Sequence, residues 1–532
     1  MRLNLPIVYR LLRLRLRPQT EFKRSMSTRT YQEAVERLNT LQSNAATLEA
    51  VRASGGRLSQ FAIPEMVEYL ERIGYKPDDL NALNVIHITG TKGKGSTSAF
   101  ADTILRRTRP DWKVGLYTSP HLVAVRERIR INGTPLSEEA FTKYFFEVWD
   151  RLEKNITRTH ESTSLMPGYF RFITLLAFHA FLESKVDATI LEVGVGGTYD
   201  STNIVPKPIV TGISTLGIDH VFVLGKTLEE IAWQKGGIYK EGVPALTVDQ
   251  TESALDVLRA RSHELKASSF KVISPISGIS DVKLGLAGKH QVGNANLAVH
   301  LTREFLKVKQ VPLDINKESL SVAEIEGLTS TRWPGRCQEV VDPRRTNTTW
   351  FLDGAHTVES LRCCFEWFVN PGSGIPDQAS QTEVKEPFRV LVFNCTSGRS
   401  GASFLGVILD TINVRLQQLE SDATTVGFFD RVIFCTNVTY ADGEFKGDLA
   451  TKATSEADLA SLKTQQELAS AWSSHLPQYP PSQILVLPSI EHAIRSIGSF
   501  NTEGGHVQVV VTGSLHLVGG VIEVAGLSDI AL

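Results

Sequence analysis

The densest chemistry in this chain lies in seven consecutive residues, Gly90-Thr91-Lys92-Gly93-Lys94-Gly95-Ser96, which follow the apolar run VIHIT (85–89) and lead into Thr97 and a helical pattern. Glycines let a backbone wrap close to phosphate oxygens, and successive amide N–H groups at a helix N-terminus offer partial positive charge. Lys94 adds a full charge for the β and γ phosphates, with the hydroxyls of Ser96 and Thr97 nearby. The strict G-x-x-x-x-G-K-[ST] spacing is not met, because Gly95 follows the lysine and Ile88 stands at the first position. Two lysines and three glycines between a strand and a helix nevertheless predict a nucleoside triphosphate site rather than a plain glycine-rich turn. The loop leaves open where the γ-phosphoryl group goes: water, a hydroxyl or a carboxylate could receive it.

The surrounding segments must hold that loop. Before the joint, VIHIT (85–89), KVGLYT (113–118), ATILEVG (188–194), IVTGIST (209–215) and PALTVD (244–249) read as buried strands. Helices are expected between them, at 137–155 with Ser137 as N-cap, and at 227–240 where Thr227 and Glu230 form a capping-box pattern. A break falls at TSTRWPGR (329–336). Beyond it, TTWFLDG, FRVLVFNCT, RVIFCTNV, QILVLPS and VQVVVTG repeat the alternation. The expected fold is therefore α/β with parallel sheets, divided into residues 30–330 and a smaller domain at 331–532. Polar stretches at 371–387 and 439–457 read as surface insertions in the second domain.

Composition bounds the partners. The chain has 532 residues, 56 basic and 58 acidic, an ordinary globular profile of 42% hydrophobic and 21% charged residues. Residues 1–30 hold seven Arg, one Lys and one Glu, which leaves 48 basic and 57 acidic residues, a net of −9, for the remainder. A body of that sign has no general attraction for nucleic acid. The leader at 1–29 is Arg-rich, and charges at Arg10, Arg13, Arg15 and Arg17 break up its apolar stretches. It fits a mitochondrial presequence better than a secretory signal, a solvated basic tail being the alternative. Met26 offers a second start and hence a cytosolic form. No later run reaches 18 uninterrupted apolar residues, so no integral membrane span is expected. Five cysteines, none in a C-x-x-C pair, argue for a reducing compartment and buried thiols.

The motifs GTKGKGS, LYTSPHLVAVRERIRING (116–133), LEVGVGG (191–197), GIDHVFVLGKTLEEIAWQKGGIYK (217–240), GKHQVGNANLA (288–298), WPGR (333–336), FLDGAH (351–356) and VTGSLHLVGG (511–520) follow one another in order. That series resembles the folylpolyglutamate synthases of the Mur ligase superfamily, in the eukaryotic type, over roughly residues 30–525. The resemblance implies an N-terminal P-loop ATPase domain with a Rossmann-like C-terminal domain. It implies a monomeric ligase that uses ATP to join L-glutamate to the γ-carboxylate of a reduced folate through an acyl phosphate. Two Mg²⁺ sites are implied, carried by Ser119, Glu192 and His220, with room for a monovalent cation. Lys94, His356 and Lys235 fall at catalytic positions, Lys235 where bacterial relatives carry a carbamylated lysine; an ordinary lysine paired with phosphate or a carboxylate is the alternative. Besides the loop residues Gly90, Thr91, Gly93, Lys94, Gly95, Ser96 and Thr97, the resemblance gives ATP contacts to Asn294 toward adenine, Arg336 toward phosphate and Asp353 toward ribose. Thr357 stands where the family usually has Asn. Arg126, Arg128 and Arg130 read either as receptors for the anionic folate tail or glutamate, or as the solvent face of a strand. The matrix, with an inner-membrane association, and the cytoplasm are the implied locations. Dihydrofolate synthase shares these motifs and remains an alternative; a small-molecule kinase or a non-catalytic nucleotide-binding regulator would use the loop alone.

Overall fold

A computed structural model of the chain describes residues 29–43, 61–159, 163–311, 318–375, 386–395, 400–450, 456–500 and 505–532. The leader at 1–28 with Met26, and most of the 371–387 stretch, lie outside the described residues. Two sheets carry the architecture. The first has eight strands: β1 (Val85–Thr89), β2 (Val114–Tyr117), β3 (Ile129–Ile131), β4 (Thr134–Pro135), β5 (Ala188–Glu192), β6 (Val210–Ile213), β7 (Pro244–Thr247) and β8 (Ser269–Val272), in the order β4-β3-β2-β5-β1-β6-β7-β8. The second has six: β9 (Gln338–Val341), β10 (Thr348–Leu352), β11 (Phe388–Phe393), β12 (Arg431–Cys435), β13 (Ile484–Leu487) and β14 (Val507–Thr512), in the order β13-β12-β11-β14-β10-β9.

Each sheet has a parallel centre, as the alternation of strand and helix requires. The expectation of parallel sheets needs correction at the margins. β3 runs antiparallel to β2 and to β4, and β9 runs antiparallel to β10. Asn132 and Gly133, both at positive φ, join β3 to β4, and residues 342–347 join β9 to β10, connections too short for a crossover helix.

Strand side chains alternate between two apolar layers. In β1, Ile86 and Ile88 pack with the helices Lys94–Thr108 and Gln291–Val308, while Val85 faces the layer built by Tyr31–Thr40, Ala62–Arg72, Glu138–Lys154 and Tyr169–Ser184. In the second sheet Trp350 and Leu352 point to one layer and Phe351 to the other. The anticipated caps are present: Ser137 accepts from Ala140 N–H, and Thr227 and Glu230 form their capping box.

One segment crosses between the lobes. The chain from Ser119 to Arg128 leaves β2 as an arm, and its Leu122 and Val123 belong to the second lobe's core with Trp350, Leu517 and Val518. Glu127 fixes the arm's turn by accepting from the N–H groups of Leu122, Val123 and Ala124. The backbone there approaches the helix Leu515–Ala525 so closely that a Cβ on Gly519 would overlap the carbonyl oxygen of Leu122.

The 439–457 stretch is not a simple surface insertion. Asp448 and Leu449 are buried, and Asp448 bonds to the arm.

Candidate active site

The glycine-rich loop joins β1 to the helix Lys94–Thr108 at the C-terminal edge of the first sheet, where α/β folds bind ligands. Its glycines answer specific demands. Gly93, at φ +86°, caps the helix, and a Cβ there would overlap Asn294 Oδ1; a Cβ on Gly90 would overlap Ser214 Oγ. No side chain caps this helix, so its first-turn amides, from Lys94 to Ser96, retain the anion-binding character of a helix N-terminus.

The first half of the loop has a different task from the one its glycines suggest. The N–H groups of Thr91 and Lys92 both bond to Thr215 O (2.9 and 3.1 Å), and Thr91 Oγ1 donates to Gly217 O (3.0 Å). Lys92 Nζ pairs with Asp219 at 3.2 Å. Burial opposes ionisation of Asp219, but Lys92, His220 and the hydrogen bonds outweigh it and hold the carboxyl down at about 2. Lys92 therefore ties the loop to the segment that carries His220. His220 is exposed, in the left-handed region at φ +51°, and its backbone N–H bonds to Asp219 Oδ1.

Lys235, from the helix Leu228–Gly236, donates to Gly90 O at 2.7 Å. Its partner is thus a backbone carbonyl. Burial, with the charge of Lys94, holds its ammonium pKa well below the usual value, as a nitrogen that can become neutral requires.

Glu192 ends β5, only 3% exposed, beside the loop. Gly95 faces it: a Cβ there would lie 3.8 Å from both carboxylate oxygens and 3.2 Å from the Trp333 indole nitrogen. Ser119 N–H donates to Glu192 Oε2 at 3.0 Å, so Ser119 meets Glu192 through its backbone. Burial raises the Glu192 pKa against the opposing pull of Lys94, that Ser119 hydrogen bond, Arg336 and Arg128. Cations from both lobes therefore surround this carboxylate. Thr97 Oγ1 and Ser98 Oγ are buried without a partner among the described residues, and Ser96 is buried beside them.

The second lobe contributes from the ends of its strands. Arg336 Nη1 bonds to its neighbour's carbonyl, Gly335 O, at 2.9 Å. Asp353 is buried and accepts from Cys337 N–H (2.7 Å) and Ala355 N–H (2.8 Å), so its first role is to shape the two loops that present Arg336 and His356. Each oxygen keeps a further lone pair. His356 Nδ1 lies 2.9 Å from Gly354 O, which as an acceptor places the proton on Nδ1. Thr357 caps the helix Val358–Phe368 and is engaged with Ser360. Asn294 donates to Gln291 Oε1 (2.9 Å) and packs on Gly93. A cavity of about 650 Å³ opens beside His290, between the 288–290 turn and the helices Val358–Phe368 and Gly401–Gln418.

Arg128 and Arg130 are 8% and 6% exposed, which removes the solvent-face reading for both. Arg128 Nε donates to His121 Nδ1 at 2.9 Å, while no described residue accepts from its two terminal nitrogens. Arg130 stacks over Trp333, 5.2 Å from the ring centroid. Sequence reasoning gave no role to Lys92, Asp219, His121 or Asp448. A lysine two residues before Lys94 and an acid beside His220 were visible signals for the first pair; nothing local marks the second.

No family model matches the sequence. Curated folylpolyglutamate synthases from Saccharomyces cerevisiae (strain YJM789) and Neurospora crassa are 42% and 41% identical over 515 and 517 residues, 95% of this chain in each case and 88% and 94% of theirs. The solved folylpolyglutamate synthase of Mycobacterium tuberculosis, complexed with ADP and AMPPCP, superposes with a TM-score of 0.64 at 22% identity, covering 87% of this chain and 95% of that one. A two-lobed nucleotide cleft and this extent of identity together show that the chain belongs to the folylpolyglutamate synthase family, the ATP-dependent ligases that add glutamate to folates.

Proposed function

We propose that the cleft between the lobes activates the γ-carboxylate of a folate's terminal glutamate by phosphoryl transfer from ATP. The observation that carries this is the buried Glu192 carboxylate, placed against the P-loop and surrounded by Lys94 from one lobe and Arg336 from the other. Carboxylate and ATP are both anions, so their approach needs charge compensation supplied in advance. Lys94 and the first-turn amides hold the β and γ phosphates, and Arg336 reaches the same phosphates from across the cleft. Asn294 and the cavity beside His290 receive the adenosine half, and Asp353 uses its remaining lone pairs toward the ribose. The carboxylate oxygen attacks the γ-phosphorus and ADP leaves. The amine of L-glutamate then attacks the acyl carbonyl, expelling phosphate and giving an amide. His356 stands on the loop facing that step, and closure of the cleft keeps water from the acyl phosphate.

The residues fit a magnesium ion at one position. Glu192 gives a hard oxygen ligand, and the hydroxyl of Ser96 or the unpartnered Thr97 Oγ1 gives another, with ATP phosphates and waters completing the shell, the mixture Mg²⁺ favours. There the ion supplies charge neutralisation on the transferring phosphoryl group. Among the described residues no group of three His, Cys, Asp or Glu could hold a metal. A second ion near His220 would therefore take most of its ligands from substrate and water. Arg128, a buried guanidinium whose terminal donors no described residue uses, receives a substrate carboxylate. The Arg-rich leader supports import into mitochondria, and Met26 supports a second, cytoplasmic form.

Oxygen-18 in the folate γ-carboxylate tests the chemistry. Through an acyl phosphate, one labelled oxygen per turnover appears in orthophosphate. Unlabelled phosphate would refute the mechanism.

A further inference from the structure

The helix Tyr31–Thr40 precedes every motif, yet it touches both lobes. Thr30 caps it through Glu33 N–H, and Ala34, Val35 and Leu38 bury it in the first lobe against Phe141 and Phe145. Its outer side grips a turn of the second lobe. Tyr31 OH donates to Asp448 Oδ1 at 2.5 Å, Asn39 Nδ2 to Gly447 O at 2.8 Å and Gln42 Nε2 to Ala450 O at 2.9 Å. Lys446 anchors the same turn from behind by pairing with Glu523 at 2.6 Å.

Asp448 passes this grip to the arm. Its Oδ1 also accepts from Val125 N–H at 2.7 Å, and its carbonyl oxygen lies 2.8 Å from His121 Nε2. A carbonyl can only accept, so Nε2 carries the proton, and Nδ1 is left to accept from Arg128 Nε at 2.9 Å. Four buried or half-buried groups thus run in series from the first helix to the guanidinium whose terminal nitrogens no described residue uses.

We propose that Tyr31 and Asp448 are positioning residues that act through His121 to aim the terminal donors of Arg128, which no described residue engages, into the cleft. The proposal rests on the reading of Arg128 as a receptor for a substrate carboxylate. Tyr31 belongs to one lobe and Asp448 to the other, so Arg128 is correctly aimed only while the lobes keep this relation. The guanidinium lies over the Tyr169 ring, 5.6 Å from its centroid, but a ring face fixes no in-plane direction, so the Nε bond to His121 is what sets where the terminal nitrogens point.

The test uses the full-length protein and steady-state kinetics in MgATP, L-glutamate and a monoglutamyl folate. Arg128→Ala identifies the carboxylate substrate as the one whose KM it raises. Tyr31→Phe and Asp448→Ala should each raise that same KM by about fivefold, the loss of one or two buried hydrogen bonds, while the KM for MgATP stays within about twofold. Asp448→Asn keeps an oxygen acceptor and should restore the parent value. If Tyr31→Phe and Asp448→Ala leave that KM unchanged while Arg128→Ala raises it, the positioning role is refuted and the receptor reading stands. If all three KM values rise while kcat and the unfolding midpoint fall, and Asp448→Asn gives no rescue, the contacts are only structural and the proposal is likewise refuted. An Arg128→Ala enzyme with unchanged KM values refutes the receptor reading and the proposal with it.

Discussion

Gly93→Ala isolates what the loop geometry requires. Gly93 sits at φ +86°, where a residue with a side chain costs about 1–2 kcal/mol. The new methyl would also overlap Asn294 Oδ1, and Asn294 can withdraw only by giving up its bond to Gln291, worth about 1 kcal/mol. The two costs sum to about 2–3 kcal/mol, or about a 30- to 150-fold loss of MgATP affinity if the loop must regain its shape to bind. Asn294→Ala removes the obstruction but not the backbone cost. In that background the added methyl should cost only about 5- to 30-fold, a coupling of about 1 kcal/mol. Titration calorimetry of MgATP against the four proteins reads every corner of the cycle, with thermal unfolding as the check on folding. A Gly93→Ala protein that binds MgATP like its parent would refute the reasoning. Equal penalties in the two backgrounds would show that Asn294 is not the obstruction.

Two further outcomes follow from buried groups elsewhere. Burial, with Lys240 nearby, pushes the His87 imidazole down to about 3, so between that value and its unfolded pKa of about 6.5 the unfolded chain binds a proton that the native protein does not. Stability must fall as pH drops through this window, by about 2 kcal/mol at pH 5 from this one group; chemical denaturation of His87→Gln, which keeps a donor for Thr202, should show a pH 7 to pH 5 decline smaller by that amount, and an unchanged decline would disprove it. Gly519→Ala gains about 1 kcal/mol of helix propensity, but the overlap with the Leu122 carbonyl cannot relax by side-chain rotation. A net loss of about 1–3 kcal/mol of stability and reduced turnover are expected, and a stabilised protein would contradict the packing described for the arm.

The sequence made the central parts of the site readable because their signals are local. The β1–loop–helix unit announces itself through glycines and lysines within seven residues, and the strand pattern around Glu192 follows from a run of apolar residues. What stayed hidden depends on partners far apart in the chain. Tyr31 and Asp448 are 417 residues apart, and no periodicity connects them. The same limit applies to the arm, where the alternation Arg126, Arg128, Arg130 resembles an exposed strand, although the second lobe and Trp333 cover it. Asp353 shows a subtler gap. The family resemblance gave it ribose recognition, while its two backbone bonds show that it also builds the loops around it. The antiparallel margins were missed because β3, β4 and β9 are two to four residues long, too short for a pattern of period two to stand out.

A single covalent crossing, at 329–336, joins the halves of this molecule; the arm returns to β3 in its own sheet, and its tip is held among Trp350, Leu517 and Val518 by packing alone. Parting the halves at that point would carry the buried Leu122 and Val123 out of an apolar layer into water, at about 1.5–3 kcal/mol for each side chain. The arm is thus a reversible rivet beside a permanent one, a joint that can part and re-form without any bond being broken.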